Sequence, residues 1–460
     1  MPEAARRTVV IIGAGVAGSA LAAELSATPD IAVTLIERGL SGLLPGSTGH
    51  APGFVGLLNE VAHLTELARQ SADLYERLEH HDRPGFDRVG GLEVAGSTAA
   101  VHQLERRAEL AAEAGLPAQL LTPTQAADAA PELVDPRTCR AGLLFPDDGT
   151  ARARTVTAAL VHRARAGGAR FLYGTTVTGL DISGGRIDGV RTADGQELPA
   201  DDVVLAAGIW GPHVAALAGQ RLPLTAVAHP YVHGPSRPSR SGPSPFVRWP
   251  EHHVYARDHG DRLGLGTYDH TPVAVPSAEL EDSAERSWLP AFESAIQQAL
   301  DLLPGTTRFD VETRLNGVFS MTADNQPLVG LLPQIKGLWS AEALWVTHAA
   351  GAAALLARQM TGTSTEHDKQ ALQALRPDRF DDQPDLTGRH FGSTATSTPP
   401  STTPDLPTGP LPDQLTGKIT GRSRRGSALP HPRQLQVHLN GGLPMRNHGL
   451  PTGRSASGTF

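Results

Sequence analysis

"TVVIIGAGVAGSALAAEL", Thr8 to Leu25, is the stretch whose reading decides the fold. Thr8–Ile12 has the composition of a strand buried on both faces, and the small-residue run Val16–Leu25 reads as a helix. Between them Gly13, Gly15 and Gly18 keep G-x-G-x-x-G spacing. The first glycine serves a tight turn, the second lets a pyrophosphate approach the backbone, and the third lets helix and strand pack closely. The helix start at Val16, Ala17 and Gly18 offers N–H groups and a positive dipole end to phosphates. A second strand, Ile31–Ile36, runs into Glu37, placed to accept from ribose hydroxyls. The unit therefore reads as βαβ with an adenine dinucleotide, NAD or FAD, on it. Arg6 and Arg7 before an apolar run imitate a secretory signal. The three spaced glycines, Glu24 and the second strand fit the nucleotide reading better.

The region after Glu37 tilts the choice towards FAD. The chain runs into "RGLSGLLPGSTGHAPGF" (Arg38–Phe54), a long glycine-rich loop, where an NAD site usually resumes βαβ alternation. Later, "ADDVVLAAGIWGPHVAALAG" (Ala200–Gly219) reads as a buried strand, a glycine turn at Gly208 and Gly211, and a helix. "WVTHAAGAAALLARQMTG" (Trp345–Gly362) puts His348 and Gly351 at another helix start. Several separated segments touching one cofactor suit a long, two-ended molecule.

Between these segments the pattern predicts helices over Glu60–Glu79, Ala100–Ala114, Thr155–Ala166, Leu289–Leu302 and Ala349–Met360. Strands are expected over Val89–Ser97, Val227–Val232 and Val254–Thr267, and Arg170–Gly208 reads as a β-meander ending in a buried strand. The fold class is α/β (α+β overall): a Rossmann-like FAD-binding domain interrupted by an antiparallel-sheet substrate domain. The expected division gives 1–85, 140–220 and 312–365 to the discontinuous FAD-binding domain, and 86–139 and 221–311 to the substrate domain. Residues 386–460, rich in Ser, Thr, Pro, Arg and Gly, are expected to be a disordered low-complexity tail.

Composition limits the remaining classes. A length of 460 residues, 40% hydrophobic and with net charge −8, describes a soluble globular protein without the basic footprint of a nucleic-acid or anionic-membrane binder. The apolar run near Trp345 holds His348 and is too short to span a bilayer. A single cysteine, Cys139, excludes an intrachain disulfide and points to a cytoplasmic setting. The pairs His80-His81 and His252-His253 diverge on helix or strand, so no metal site is expected. No G-x-S-x-G elbow for a serine hydrolase is present.

The stretches "VVIIGAGVAGSALAAEL", "GSTGHAPG", "VGGLEVA", "TTVTGLDISGGRIDGVRTADG", "VAHPYV", "HGDRLGLGTYDH", "NGVFSMTADNQPLVG" and "EALWVTHAAG" extend in order from about residue 8 to 360. On them the chain resembles the D-amino-acid-oxidase-like FAD-dependent oxidoreductases, the family of dimethylglycine oxidase and the sarcosine and dimethylglycine dehydrogenases. The resemblance implies FAD held by Gly13, Gly15, Val16, Ala17, Gly18, Glu37, Arg38, Ser47, Thr48, Val177, Gly208, Val346, Thr347 and His348. It implies that His50 is joined covalently to the flavin; the alternative is a loop histidine that only hydrogen-bonds. The family's catalytic pair falls on His229 and Tyr255, with Tyr231 and Tyr268 as neighbouring tyrosines. A histidine bonded to a tyrosine is suited to take the proton of a bound ammonium before hydride leaves. The family shows an aromatic beside the tyrosine where Ala256 stands. Arg257 and Arg262 are either holders of a substrate carboxylate or solvated strand residues.

The implied activity is oxidative N-demethylation of a small N-methylated amino acid, dimethylglycine or sarcosine, by hydride transfer to flavin N5. Dioxygen or an electron carrier would be the acceptor. The family's larger members carry a C-terminal folate-binding domain where this sequence has its low-complexity tail, or a truncated or frame-shifted end. Folate capture of the product would then need a separate protein. Two rivals remain: a deaminating oxidase of glycine or D-amino acids, and a non-catalytic flavin-fold regulator.

Overall fold

The computed structural model describes residues 6–381 except 240, 241 and 243. The tail expected over 386–460 lies outside the described residues.

Thr8 to Ile12 do form a strand, Arg7–Ile12, at the middle of a six-stranded sheet. Its order is Arg170–Tyr173, Ile31–Glu37, Arg7–Ile12, Asp202–Leu205, Leu338–Glu342 and Leu328–Leu331. The first five are parallel and only the last pair is antiparallel. Alternation explains the apolar run. Val9 and Ile11 pack with the helices Val16–Leu25, Ala153–Ala166 and Ala349–Thr361 on one face. Val10 and Ile12 pack on the other face with Leu180, Ile187 and Val190. Both faces are covered, so no polar side is needed.

The expected meander divides between two sheets. Arg170–Tyr173 and Asp202–Leu205 belong to the parallel sheet, on either side of the chain's first strands. Only Val177–Ser183, Arg186–Thr192 and Glu197–Pro199 form the three-stranded meander. Period-2 alternation marks strands but not partners, which is why a local reading merges them.

The second large sheet has ten strands, nearly all antiparallel. Its central order is Thr313–Met321, Thr225–His233, Leu263–Thr267, Val254–Asp258, Phe246–Trp249, Gly91–Ala95 and Ala141–Phe145. The stretch read as one strand, Val254–Thr267, is a hairpin that turns at His259–Arg262. Thr313–Met321 and Ala141–Phe145 hydrogen-bond into this sheet, although the expected division gave them to the cofactor-binding part.

The two faces of this sheet differ in chemistry. Val232, Val247, Trp249, Val254, Ala256, Leu263 and Leu265 point to one side and pack with Ile296, Ala299 and Leu300 of the helix Glu293–Leu300. Their sequence neighbours His229, Tyr231, Phe246, Tyr255, Arg257, Gly264 and Gly266 fall on the opposite face by the same alternation. One face is apolar core; the other carries histidine, tyrosine and arginine side chains.

The tightest point of the parallel sheet is Gly13. Its φ is +113°, and a Cβ there would lie 2.3 Å from the Ala206 carbonyl oxygen. Gly13→Ala combines backbone strain with overpacking, so it should cost about 3 kcal/mol. A urea midpoint within error of the unsubstituted protein would contradict this.

Candidate active site

The residues expected to hold the dinucleotide converge on the carboxyl ends of the parallel strands, where ligands of open α/β sheets bind. Gly18 sits against Gly13: a Cβ at Gly18 would lie 2.0 Å from the Gly13 carbonyl oxygen. Gly15 caps the helix Val16–Leu25 in extended conformation, and a Cβ there would meet only the Thr48 hydroxyl, at 3.2 Å. The bare glycine keeps open the approach to the helix start at Val16 and Ala17. Glu37 braces this turn, accepting from Ala14 N at 2.7 Å and Gly39 N at 2.7 Å. Each oxygen keeps a second lone pair for a ribose hydroxyl.

The other expected residues lie partly beside this turn and partly away from it. Thr48 Oγ1 accepts from Val16 N at 3.2 Å, and Ser47 Oγ donates to the Val318 carbonyl at 2.7 Å. Val177 opens the first meander strand and packs with the cluster behind the parallel sheet. Arg38 lies over the Trp210 ring and pairs with Asp282, on the outer side. The Val346 carbonyl accepts from Tyr75 Oη at 2.8 Å, and Thr347 Oγ1 donates to the Phe54 carbonyl at 3.0 Å. His348 caps Ala349–Thr361, and burial presses its pKa down to about 4.

Glu342, absent from the sequence expectations, shapes the turn at Gly208. Its Oε1 accepts from Ala207 N at 2.6 Å, with a further backbone bond at Gly208, whose φ is +59°. Its Oε2 is buried without a partner. Burial pushes this carboxyl up to about 8, against bonds from Ala207 and Gly208 that favour the ion. Nothing in "SAEALW" marks it, because a strand-end glutamate is ordinarily solvated.

The antiparallel sheet supplies the opposite wall. His229 Nε2 and Tyr255 Oη are 2.7 Å apart. Their strands are not neighbours: Leu263–Thr267 runs between them. The side chains meet because Gly266 has no side chain; a Cβ there would lie 2.4 Å from Tyr255 Oη. Two residues back, Gly264 makes the same room for Tyr231, whose hydroxyl bonds His259 Nε2 at 2.8 Å. The motif "LGLGT" carried this signal in its alternate glycines.

Aromatic rings surround the pair. Tyr268 stacks on His229 at 4.2 Å between centroids, and Phe319 meets it edge-on at 5.7 Å. Phe246 and Tyr231 stack on either side of Tyr255 at 5.7 and 5.8 Å. Desolvation sets the charge state: His229 is held well below its ordinary value and Tyr255 well above, so both are neutral. Tyr268 is likewise pushed up to about 12 by burial.

His50 faces the same wall. It ends the short helical turn Ser47–His50, and its imidazole edge lies against Gly317, where a Cβ would meet His50 Cδ2 at 2.5 Å. Gly317 is the register partner of His229. Burial, more than backbone hydrogen bonding at Val318 can oppose, lowers His50 to about 4, so its imidazole is neutral. Arg262 pairs with Asp261 at the hairpin turn, as a solvated residue does. Arg257 is not solvated: it reaches the Pro52 carbonyl at 2.5 Å. Among the described residues no group of three or more His, Cys, Asp or Glu could hold a metal ion. No helix there is long and apolar enough to cross a membrane.

Gly266→Ala should push the Tyr255 ring off His229 and cost about 1–3 kcal/mol; a crystal structure of the variant retaining the 2.7 Å contact would refute it. The raised Glu342 carboxyl means the native state holds a proton that the unfolded chain releases above the ordinary value of 4.5. Stability from that proton is complete below 4.5 and is lost as pH rises towards about 8. Glu342→Gln should flatten this decline in urea titrations; an unchanged slope between pH 5 and about 8 would contradict it.

Comparison with known proteins agrees with this geometry. The family described as FAD dependent oxidoreductase (DAO) matches residues 8–359. The 4-methylaminobutanoate oxidase (formaldehyde-forming) of Paenarthrobacter nicotinovorans is 27% identical over 337 residues, 72% of this chain and 40% of that protein. Human mitochondrial sarcosine dehydrogenase is 28% identical over 353 residues, 74% of this chain and 37% of that protein. The chain thus spans about two fifths of the length of these curated relatives. Among solved structures, L-proline dehydrogenase from P. horikoshii superposes with a TM-score of 0.71 at 22% identity, covering 83% of this chain and 99% of that one. That likeness is one of fold. With a dinucleotide turn and a family match over residues 8–359, the chain belongs to the FAD-dependent oxidoreductases of the DAO family, and FAD is its cofactor.

Proposed function

We propose that the chain oxidises a small N-methylated amino acid, dimethylglycine or sarcosine, at the methyl carbon, with its FAD attached through His50. The observation that carries the reading is the buried 2.7 Å bond between His229 and Tyr255 inside an aromatic cage. FAD, held by the turn at residues 13–18 and by Glu37, would supply the two-electron acceptor for the hydride of the methyl carbon.

The protein's part is to prepare the amine. A protonated amine has no lone pair with which to expel hydride, so its proton must leave first. Two neutral groups sharing a hydrogen bond provide the route. Tyr255 Oη accepts the amine proton while its own hydrogen passes to His229 Nε2, leaving an imidazolium and a neutral phenol. The rings of Tyr268 and Phe319 keep water from the pair and present π faces to a methylated ammonium. The iminium left after hydride loss is hydrolysed to formaldehyde and the demethylated amine. Dioxygen or an electron carrier then takes the two electrons.

Relatives named sarcosine dehydrogenase and 4-methylaminobutanoate oxidase (formaldehyde-forming) support the N-methyl substrate class. Covalent attachment is supported by a neutral imidazole packed closely against Gly317. The bond would replace one methyl C–H and the imidazole N–H by C–N, releasing two electrons and two protons to dioxygen.

The test is anaerobic bleaching of the bound flavin by dimethylglycine and sarcosine, with product analysis. We expect formaldehyde without ammonia. His229→Asn and Tyr255→Phe should each slow bleaching roughly a hundredfold or more while leaving FAD content unchanged. Ammonia and a keto acid as products, or bleaching at the normal rate in both variants, would overturn the reading.

A further inference from the structure

The segment Ser47–Phe54 is short of regular structure, yet its carbonyls are bound by separate parts of the chain. Arg154 Nε donates to Gly49 O at 2.9 Å and Arg257 donates to Pro52 O at 2.5 Å. Ala151 N donates to Gly53 O at 2.7 Å, and Thr347 Oγ1 to Phe54 O. Glycines allow the close fit: a Cβ at Gly49 would lie 1.9 Å from Leu44 O, and one at Gly53 2.0 Å from Ala151 O.

The two guanidinium contacts fall one residue before His50 and two residues after it. They come from opposite walls. Arg154 stands on the helix Ala153–Ala166 beside the parallel sheet, and Arg257 on the strand Val254–Asp258 of the antiparallel sheet. Arg257 makes no ion pair among the described residues. The acidic groups whose fields reach it are taken by others: Asp87 pairs with Arg152 at 2.5 Å and Asp258 with Arg237 at 2.9 Å. A buried guanidinium that bonds a loop carbonyl in place of a carboxylate serves to hold that loop.

We propose that Arg154 and Arg257 are positioning residues for flavin attachment: gripping the carbonyls on either side of His50, they fix its imidazole against Gly317 in the one orientation from which it bonds the flavin. The inference rests on the attachment through His50 proposed above. Bond formation within a complex gains its rate from a preset geometry, and a shift of about 1 Å can cost roughly a hundredfold. Arg154 adds a field effect, since its charge opposes protonation of His50, the form that cannot attack.

The experiment measures flavin that stays with acid-precipitated full-length protein, total FAD before precipitation, and melting temperature. The variants are Arg154→Met, Arg257→Met and Arg154→Lys, with His50→Ala as the reference for dissociable flavin. We expect the two methionine variants to bind FAD but to lose at least about tenfold in covalent fraction. Arg154→Lys should recover part of it, and the melting temperature of Arg154→Met should not move, because that residue is exposed. A covalent fraction equal to that of the unsubstituted protein in Arg154→Met overturns the inference, even if Arg257→Met proves insoluble. Complete release of flavin from the unsubstituted protein would overturn the attachment reading and this inference with it. Retention there and in both methionine variants would overturn this inference alone.

Discussion

The site depends on a steric gap. Adjacent strands lie about 4.8 Å apart, so two side chains separated by a whole intervening strand start roughly 9.6 Å from each other. Tyr255 and His229 stand in that relation, and Gly266 lies on the strand between them. With any side chain at Gly266, the phenol would stand upright and the imidazole would keep its proton chemistry to itself. Because Gly264 repeats the device for Tyr231 and His259, the sheet presents a patch of polar aromatic tips lying flat. A flat patch is what a planar ring system needs opposite it.

Burial governs the charge state of the groups around this patch. His50, His229 and His348 are all neutral for one reason, desolvation, and Tyr255 and Tyr268 keep their protons for the same reason. A set of groups that are neutral at rest gains a charge only when substrate delivers one. That charge arises in a desolvated setting beside π faces, which sharpens its effect on whatever shares the cavity.

The nucleotide half is legible in the sequence because its logic is local. Strand, glycine turn, helix and the acid at Glu37 all fall within about thirty residues, as the motif requires, and each stands where the motif puts it. The pairing of His229 with Tyr255 comes from resemblance, since nothing in "VAHPYV" or "VYARD" says that their strands are separated by a third. Partner choice is non-local: the meander forms over residues 177–199, but Asp202–Leu205, expected as its last strand, pairs instead with Arg7–Ile12 at the other end of the chain's order. Tyr268 lies one residue beyond its strand, and its stacking on His229 cannot be read from period-2 alternation. Glu342 is invisible for a different reason: its burial comes from the turn at Ala207–Gly208, distant in sequence.

The way Ser47–Phe54 is fastened also bears on how the chain reaches its native state. That segment leaves the early βαβ unit, yet its anchors come from positions 151, 154, 257, 318 and 347. Closing such long loops carries an entropic cost that is met before the contacts return anything. The nucleotide-binding turn needs only its own neighbourhood, whereas this strap waits for both sheets to assemble. Folding should thus run in a fixed sequence, the nucleotide-binding turn first and the fastening of Ser47–Phe54 last.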